Sequence, residues 1–261
     1  MDNKIDLILQ GPYTKFTDTI IDSYSTLSFI NHIIVSCWES DPQDNSSNSK
    51  VKFVRSPKYE SYPGPTNVNL QLTTSLAGVK YSNSNYIAKF RTDQLYTLDS
   101  LKRMYEYFIS NFNSEKIYVC GDIYQYLFHP RDWVYWGCKE SMINLFDIPH
   151  EKNYVCEKLG INSKNYSYSM HLLTRPETYI AAYYCSRFDG RVKIMLDNQD
   201  KYLYDGSVEW TKSHSISKEV MKKAFKSFPR EGIEMIWPRK NILQYCFPFD
   251  QGNEGWDEEG C

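Results

Sequence analysis

The stretch IDLILQGPYTKFTDTIIDSYSTLSFINHIIVSCW, residues 5–38, decides the fold. It begins with an apolar run at 5–9, which the turn residues Gln10-Gly11-Pro12 end, and it closes with a second apolar run at 33–38. Between the two runs, apolar side chains recur at the spacing of a helix: Phe16, Ile20, Ile21, Tyr24 and Leu27. Two apolar strands that flank one helix predict a β-α-β unit with a parallel pair of strands.

The same alternation continues as far as residue 120. Three more apolar runs predict strands at 51–54, 86–90 and 117–120. Two segments with helical spacing predict helices at 68–79 and 98–108, the second with Thr97 as its N-cap. The short connections favour an α/β fold with an open, mainly parallel sheet and helices on both faces.

The second half of the chain is less regular and is rich in aromatic residues. Apolar spacing predicts a short helix at 142–146, and a capping box at 174–177 predicts a helix that runs through Tyr184. Residues 192–195 (VKIM) predict a strand, and Ser217 is the predicted cap of a later helix. Since no repeat or linker is found, we expect one domain, which consists of a first half at 1–120, a second half at 121–249 and a mobile acidic tail at 250–261.

Composition excludes several classes of protein. The 30 basic and 32 acidic side chains give a net charge of -2, so no nucleic-acid partner is predicted. The sequence has no run of about 18 apolar residues, so no transmembrane span is predicted. It also shows no apolar leader, so no signal peptide is predicted. The seven cysteines are scattered without a CxxC motif, which is typical of a reducing compartment. We therefore predict a cytoplasmic protein, with peripheral attachment to a membrane left open.

Polar residues follow the first, second and fourth predicted strands, whereas P-loop, dinucleotide-binding, HExxH and GxSxG motifs are absent from the sequence. These polar segments are QGP at 10–12, SCWE at 36–39 and RTDQ at 91–94. Because ligands bind at the carboxyl ends of parallel strands, the three segments predict one ligand site. Asp93 is suited to a divalent cation or a sugar hydroxyl, and Arg91 is suited to a diphosphate.

The aromatic segment FHPRDWVYWG, residues 128–137, is a candidate catalytic region. Burial among aromatic rings raises the pKa of a carboxylate in general, and we expect such an environment to suit Asp132 to act as a general base toward an acceptor hydroxyl. Asp122 is a rival for this role. Aromatic faces also stack on sugar rings, and the candidates are Trp133, Tyr135 and Trp136. The alternative is an aromatic core segment in which Arg131 and Asp132 pair at the surface.

Six short motifs together carry a family resemblance. In chain order they are LQGP at 9–12, IVSCWE at 34–39, NLQ at 69–71, KFRTDQ at 89–94, DWVYWG at 132–137 and PETY at 176–179. This set, from about residue 5 to residue 185, resembles the WavE family of lipopolysaccharide-synthesis proteins. The RTDQ element is its most specific part.

The resemblance implies a GT-A-like glycosyltransferase that moves a sugar from a nucleoside-diphosphate sugar to a hydroxyl of a glycan or glycolipid acceptor. The first half then binds the nucleotide-sugar and the second half binds the acceptor. Asp93 matches the ligand of a divalent cation, Mn²⁺ or Mg²⁺. Glu177 is a further candidate for the acceptor side, and its role in the capping box is the alternative. The resemblance assigns the nucleotide-sugar to Gln10, Gly11, Pro12, Ser36, Trp38, Glu39, Asn69, Gln71 and Gln94.

One departure from the GT-A pattern leaves alternatives open. GT-A enzymes usually carry Asp-x-Asp, and here Arg91 replaces the first acid. Either Asp93 holds the metal alone, or no metal is needed and Arg91 neutralises the diphosphate with a neighbour such as Arg55 or Lys89. The same departure motivates a second hypothesis, a catalytically inactive carbohydrate-binding protein on this fold. A nucleotidyltransferase is a third, but residues 10–15 match its basic Gly-rich loop poorly.

Overall fold

A computed structural model describes eight segments of the chain. They are residues 3–42, 48–58, 67–120, 127–130, 133–151, 176–198, 208–229 and 231–236, with side chains in the last helix described from residue 212. The predicted tail at 250–261 and the predicted catalytic residues Asp122 and Asp132 lie outside the described residues.

Nine strands and seven helices lie within these segments. In chain order they are β1 (Ile5–Gln10), α1 (Lys15–Tyr24), β2 (Ile30–Trp38), β3 (Val51–Ser56), α2 (Val68–Tyr81), β4 (Tyr86–Arg91), β5 (Leu95–Tyr96), α3 (Leu98–Ser110), β6 (Ile117–Val119), β7 (Tyr135–Cys138), α4 (Lys139–Phe146), α5 (Pro176–Cys185), α6 (Gly190–Asp197), α7 (Val208–Ala224), β8 (Phe225–Ser227) and β9 (Met235–Ile236).

Seven strands form one sheet in the order β3-β2-β1-β4-β7-β6-β8. The first four are parallel to one another, and β7 is antiparallel to both β4 and β6. Strand β8 pairs parallel with β6, and β5 and β9 form a separate antiparallel pair. The predicted class, an α/β fold with an open and mainly parallel sheet, is therefore confirmed.

A hydrophobic core lies on each face of the sheet. Strand β1 alternates between the two cores, with Leu7 and Leu9 on one face and Ile8 on the other. Helices α1 and α3 cover the first face, where Leu101 is fully buried, and α2, α4, α5, α6 and α7 cover the second. The predicted placement of helices on both faces is also confirmed.

Asp6 joins three segments at the start of β1. The amino ends of the parallel strands meet here, and we call this side of the sheet the amino edge. The Asp6 carboxylate is 1% exposed and accepts hydrogen bonds at both oxygens. Oδ1 accepts from the side chain of Asn31 and from the backbone and ring of His32, while Oδ2 accepts from the Ser82 hydroxyl and from the backbone N–H groups of Asn83 and Ser84. A buried carboxylate bonded in this way holds the starts of β1, β2 and β4 in place.

Two predictions for the second half are wrong. Residues 192–195 form part of helix α6, because Asp189 caps it by accepting a hydrogen bond from the Arg191 N–H and because Val192 and Met195 face the core. Ser217 does not cap a helix. It lies inside α7, and its hydroxyl accepts the backbone N–H of Phe128 at 2.9 Å.

Candidate functional site

The polar segments at 10–12, 36–39 and 91–94 meet at the carboxyl ends of β1, β2 and β4, which we call the carboxyl edge. The Gly11 N–H donates to the Ser36 carbonyl at 3.1 Å, and the Thr92 N–H donates to the Gln10 carbonyl at 3.1 Å. The sequence prediction that these three segments share one edge therefore agrees with their positions.

Gly11 lets two of these segments approach each other closely. Its φ of +131° is in a region that L side chains rarely adopt, and an added Cβ would lie 2.6 Å from the Thr92 hydroxyl oxygen. The contact leaves no room for a side chain. Pro12 follows it and is exposed.

Helix α2 packs against the same edge through polar contacts. The Gln10 side-chain amide donates to the Thr74 hydroxyl at 2.9 Å, and the Ser36 hydroxyl donates to the Thr74 carbonyl at 2.6 Å. Because Ser36 is 0% exposed, its role here is to hold α2 on the sheet, and a ligand does not reach it directly.

Arg91 and Asp93 form a two-bond ion pair at the end of β4. Arg91 Nε donates to Asp93 Oδ1 at 2.9 Å, and Arg91 Nη2 donates to Oδ2 at 3.0 Å. Both side chains reach solvent, with 26% of Arg91 and 18% of Asp93 exposed. The guanidinium is therefore fixed in orientation at the surface of the carboxyl edge.

Arg55 and Asp41 hold the loops beside this edge. Arg55 donates from Nη1 to the carbonyls of Trp38 and Asp41, at 3.1 Å each, and from Nη2 to that of Pro42 at 2.7 Å. The Asp41 carboxylate accepts the backbone N–H groups of Tyr13 and Trp38 at 2.9 and 3.0 Å. Arg55 is thus bound to carbonyls, which corrects its predicted role toward the diphosphate.

Sequence reasoning missed Asp41, which joins the β1–α1 and β2–β3 loops. The only signal was an acidic residue just past the end of a strand, in the polar segment SDPQD at 40–44. Such a residue is more often a solvated turn. Only the folded chain shows that its carboxylate bridges two loops.

The predicted sugar-stacking rings Tyr135 and Trp136 are core residues. Both are 0% exposed on β7, and Trp136 packs edge-on against Phe90 and Phe108. Lys89 is also 0% exposed, with its ammonium 5.4 Å from the centre of the Tyr135 ring. The aromatic-core alternative therefore describes β7, and the predicted roles of these rings toward the acceptor and of Lys89 toward the diphosphate are corrected.

The remaining predicted residues lie around the same edge. Trp38 is buried, Glu39 is exposed, and Trp133 and Glu177 are half-buried. The Glu39 N–H donates to the Ser56 carbonyl at 3.0 Å, and Glu177 lies in the first turn of α5. Of these four, Glu39 is the carboxylate that is open to solvent at the end of β2.

The start of α2 is held by the segment at 147–151. The Asn69 amide donates to the Glu151 carbonyl and accepts the Glu151 N–H, both at 2.8 Å. Beside it, the Tyr179 hydroxyl donates to the Pro149 carbonyl at 2.7 Å, and burial raises the pKa of Tyr179 so that it stays protonated. The predicted nucleotide-sugar residue Asn69 therefore has a structural role.

Two buried amides near this edge lack hydrogen-bond partners. The side-chain nitrogen of Gln71 and both polar atoms of Gln94 are unpaired within the described part of the chain. Gln94 is 0% exposed and Gln71 is 7% exposed. Because an unpaired buried amide is costly, Gln71 is suited to a bound ligand or water, and the fully enclosed Gln94 is suited to a buried water.

The described residues at this edge do not fit a divalent cation. Mg²⁺ and Mn²⁺ require several oxygen ligands, and the described segments hold no group of three or more acidic, histidine or cysteine side chains suited to a metal. Both oxygens of Asp93 already accept from the Arg91 cation. The prediction of a metal at Asp93 is therefore not supported by the donor set.

Several solved structures have a similar chain course. They include the cytidylyltransferase IspD of Francisella tularensis, with 9% identity over 61% of this chain and 88% of that chain, at a TM-score of 0.40. TarS of S. aureus has 10% identity over 69% and 33%, at 0.39. The galactosyltransferase LgtC, solved with donor and acceptor sugar analogues, has 10% identity over 80% and 99%, at 0.39. All three TM-scores lie below 0.5.

The family model gives a firmer result. No curated protein sequence matches the chain. No helix within the described segments is both long and apolar enough to cross a membrane.

The model for WavE lipopolysaccharide synthesis matches residues 5–212, which is more than half of the 261 residues. The chain belongs to the WavE lipopolysaccharide synthesis family.

Proposed function

We propose that the protein is a glycosyltransferase that moves a sugar from a nucleoside-diphosphate sugar to a hydroxyl of a surface glycan, such as lipopolysaccharide. The observation that carries the proposal is the carboxyl edge, where the segments at 10–12, 36–39 and 91–94 lie together. A site at the carboxyl ends of parallel strands, with an oriented guanidinium, is suited to a nucleotide with a diphosphate. Membership of the WavE family supports the same reading.

The nucleotide-sugar lies across the three segments in this proposal. Gly11 and Pro12 allow its close approach to the backbone, and Glu39 is the acid that accepts from ribose or base. Arg91 contacts the diphosphate, and the Gln71 side chain, which is 7% exposed, gains a partner when the donor binds. The base and the sugar are left open.

The transfer step breaks the bond between the anomeric carbon and the diphosphate oxygen and forms a bond from that carbon to the acceptor oxygen. The bonding electrons go to the diphosphate, whose developing charge Arg91 stabilises. The acceptor hydroxyl gives its proton to a carboxylate. Asp132 and Asp122 are the proposed bases, and a single base acting in this way inverts the anomeric centre.

The acceptor side is proposed from the second half of the chain. Trp133 and Glu177 remain the candidates, since both are half-buried. A cytoplasmic enzyme in peripheral contact with a membrane would meet both soluble nucleotide-sugars and a glycolipid acceptor. The proposal includes that contact.

An inactive carbohydrate-binding protein is the second candidate, because Arg91 replaces an acid that GT-A enzymes usually carry. Under this alternative the chain binds a glycan and transfers nothing. The two candidates differ in the ligand they require. Only the transferase must bind a nucleoside diphosphate.

A thermal-shift panel tests the proposal. UDP, GDP, CDP and their sugars are each added with EDTA and with MnCl₂. A ligand at about 100 times its dissociation constant adds about 2.7 kcal/mol and raises Tm by a few degrees. A shift with one base supports the transferase and names the donor. A flat panel at millimolar ligand, with the protein folded, contradicts it.

Activity then separates the two proposed bases. With the donor identified, Asp132→Asn and Asp122→Asn are compared with Asp197→Asn, which alters an exposed carboxylate on α6. We expect one of the first two to lower transfer roughly 100-fold or more while nucleotide binding is kept. Equal activity in all three variants would exclude both residues as the base.

A further inference from the structure

The Arg91–Asp93 ion pair has a geometry that bears on how a diphosphate would bind at the carboxyl edge. The guanidinium plane presents Nε and Nη2 side by side to the two carboxylate oxygens, at 2.9 and 3.0 Å. This two-bond geometry holds the guanidinium plane against the carboxylate. It also fixes the direction in which the rest of the guanidinium points.

A metal ion at Asp93 would compete with this pair. To coordinate a cation, Asp93 would have to give up at least one of its two bonds to Arg91, and the bound cation would lie next to the guanidinium charge. A metal cation and a guanidinium in neighbouring positions repel each other, which disfavours metal binding at Asp93. Arg91, which replaces the first acid of Asp-x-Asp, thus also binds both oxygens of Asp93, the second acid.

Arg55 and Lys89, the other two cations predicted to contact the diphosphate, have other surroundings in the structure. Arg55 donates to three backbone carbonyls at and after the end of β2, and Lys89 is 0% exposed with its ammonium near the Tyr135 ring. Arg91 is 26% exposed at the end of β4. Of these three cations, Arg91 is the one whose guanidinium lies partly exposed at the end of β4 and is paired with an acidic side chain.

We propose that Arg91 takes the place of the metal ion, and that Asp93 is a positioning residue for Arg91 rather than a metal ligand. This inference rests on the proposed function. A guanidinium keeps its charge at every physiological pH and matches two phosphate oxygens with parallel N–H groups. Donor binding therefore requires no divalent cation, and it depends on Asp93 through the orientation of Arg91.

A second pair in the chain provides a matched control. Arg191 and Asp189 are also two residues apart, with Nε and Nη2 of Arg191 donating to the Asp189 carboxylate at 3.0 and 2.7 Å. That pair lies at the start of α6, a helix that packs against α5 and α7. The same substitutions there test for general effects on charge and folding.

The first experiment measures binding of UDP, GDP and CDP by titration calorimetry, in EDTA and in MnCl₂. We expect the nucleotide that binds to do so in EDTA, with a dissociation constant that Mn²⁺ changes less than threefold. Binding that requires Mn²⁺ overturns this inference and leaves the proposed function standing. Absence of binding in both buffers overturns the proposed function and this inference with it.

The variants then assign the two roles. We expect Arg91→Lys to weaken diphosphate binding roughly 10- to 100-fold, because hydrogen bonds to charged groups contribute about 1.5–3 kcal/mol. Asp93→Asn keeps one acceptor oxygen and should cause a smaller loss than Asp93→Ala. Binding of the matching nucleoside, which has no phosphate, should be unchanged in all three. Asp189→Asn and Arg191→Lys should leave both affinities at the wild-type value.

Two results would contradict the assignment. If the Asp93 variants bind the diphosphate as the wild type does in EDTA but lose an Mn²⁺-dependent gain, Asp93 is a metal ligand. If they weaken the nucleoside as much as the diphosphate, the residue supports the fold rather than Arg91. The Tm of each unliganded variant separates this second case from unfolding.

Discussion

Two aspartates at opposite ends of the parallel strands have different environments. Asp6, at the amino edge, is 1% exposed and accepts from donors in β2 and in the segment that follows α2. Asp93, at the carboxyl edge, is 18% exposed and shares both oxygens with one arginine two residues away. One carboxylate joins distant parts of the chain, and the other orients a neighbour.

The difference shows how one sheet separates stability from ligand binding. At the amino edge, the buried Asp6 carboxylate is hydrogen-bonded at both oxygens, and its loss leaves the buried Ser82 hydroxyl unpaired. At the carboxyl edge, unpaired amides and an exposed guanidinium remain, as at Gln94 and Arg91. We expect amino-edge variants to change unfolding and carboxyl-edge variants to change ligand affinity as well.

The largest expected effect is that of Asp6→Ala. It removes the acceptor from the buried Ser82 hydroxyl and from partly buried donors such as the His32 N–H, and should lower the free energy of unfolding by roughly 3 kcal/mol or more. Urea unfolding measures the loss. Asp6→Asn retains one acceptor oxygen and should lose less. A loss below about 1 kcal/mol for Asp6→Ala would remove the structural contrast between the two edges.

Gly11→Ala should cost about 2 kcal/mol, because the residue has a φ of +131° and an added Cβ would lie 2.6 Å from the Thr92 oxygen. Gly190→Ala is the matched control, since nothing lies within 4 Å of a Cβ there. Thermal unfolding compares the two variants, and titration with the donor nucleotide shows whether Gly11→Ala also weakens binding. Equal Tm values would contradict the close approach.

Arg55→Lys should lower stability by about 1 kcal/mol, because an ammonium cannot reproduce the fork that meets the carbonyls of Trp38, Asp41 and Pro42. Its effect on nucleotide affinity should exceed its effect on unfolding, since it loosens loops at the carboxyl edge. Calorimetry and urea unfolding are measured on the same sample. Arg187→Lys, at an exposed site on the α5–α6 connection, is the control. A variant that changes only stability would show that these loops do not contact the ligand.

The smallest expected effect is a pH dependence from His150, which lies beside α2. Burial lowers the pKa of His150 below its ordinary value of 6.5. The unfolded chain therefore binds more protons than the folded chain just below pH 6.5, and stability falls as the pH is lowered through that range. Unfolding at pH 7 and pH 5.5 measures the slope, and His150→Gln should reduce it. An unchanged slope would assign it to another group.

The sequence predicted the first half well because its signals are local. Strands β1 to β4 and helices α1 to α3 lie where apolar runs and helical spacing placed them, and Thr97 caps α3 by accepting the Ser100 N–H. Each of these helices lies between two strands in a unit of about 30 residues, so the alternation of apolar runs and helical spacing can be recognised locally. Parallel strands covered on both faces are apolar throughout, which makes them easy to identify.

The second half was harder to predict because its contacts are distant. The VKIM segment at 192–195 alternates like a strand, yet Val192, Met195 and Leu196 have helical spacing once Asp189 is taken as a cap. Nothing local marks Ser217 as the acceptor for Phe128, which lies 89 residues earlier and has a positive φ of 48°. Strands β8 and β9 are three and two residues long, too short for a periodic signal.

For the candidate site, the sequence by itself determined the edge. Polar residues after β1, β2 and β4 must meet there, because parallel strands end at the same side of a sheet. Only the tertiary structure decided what each side chain does. It bound Arg55 to carbonyls, buried Lys89 and Trp136, and paired Arg91 with Asp93. Strand order and residue type fix where a group lies, whereas its partner depends on side chains that folding brings from elsewhere in the chain.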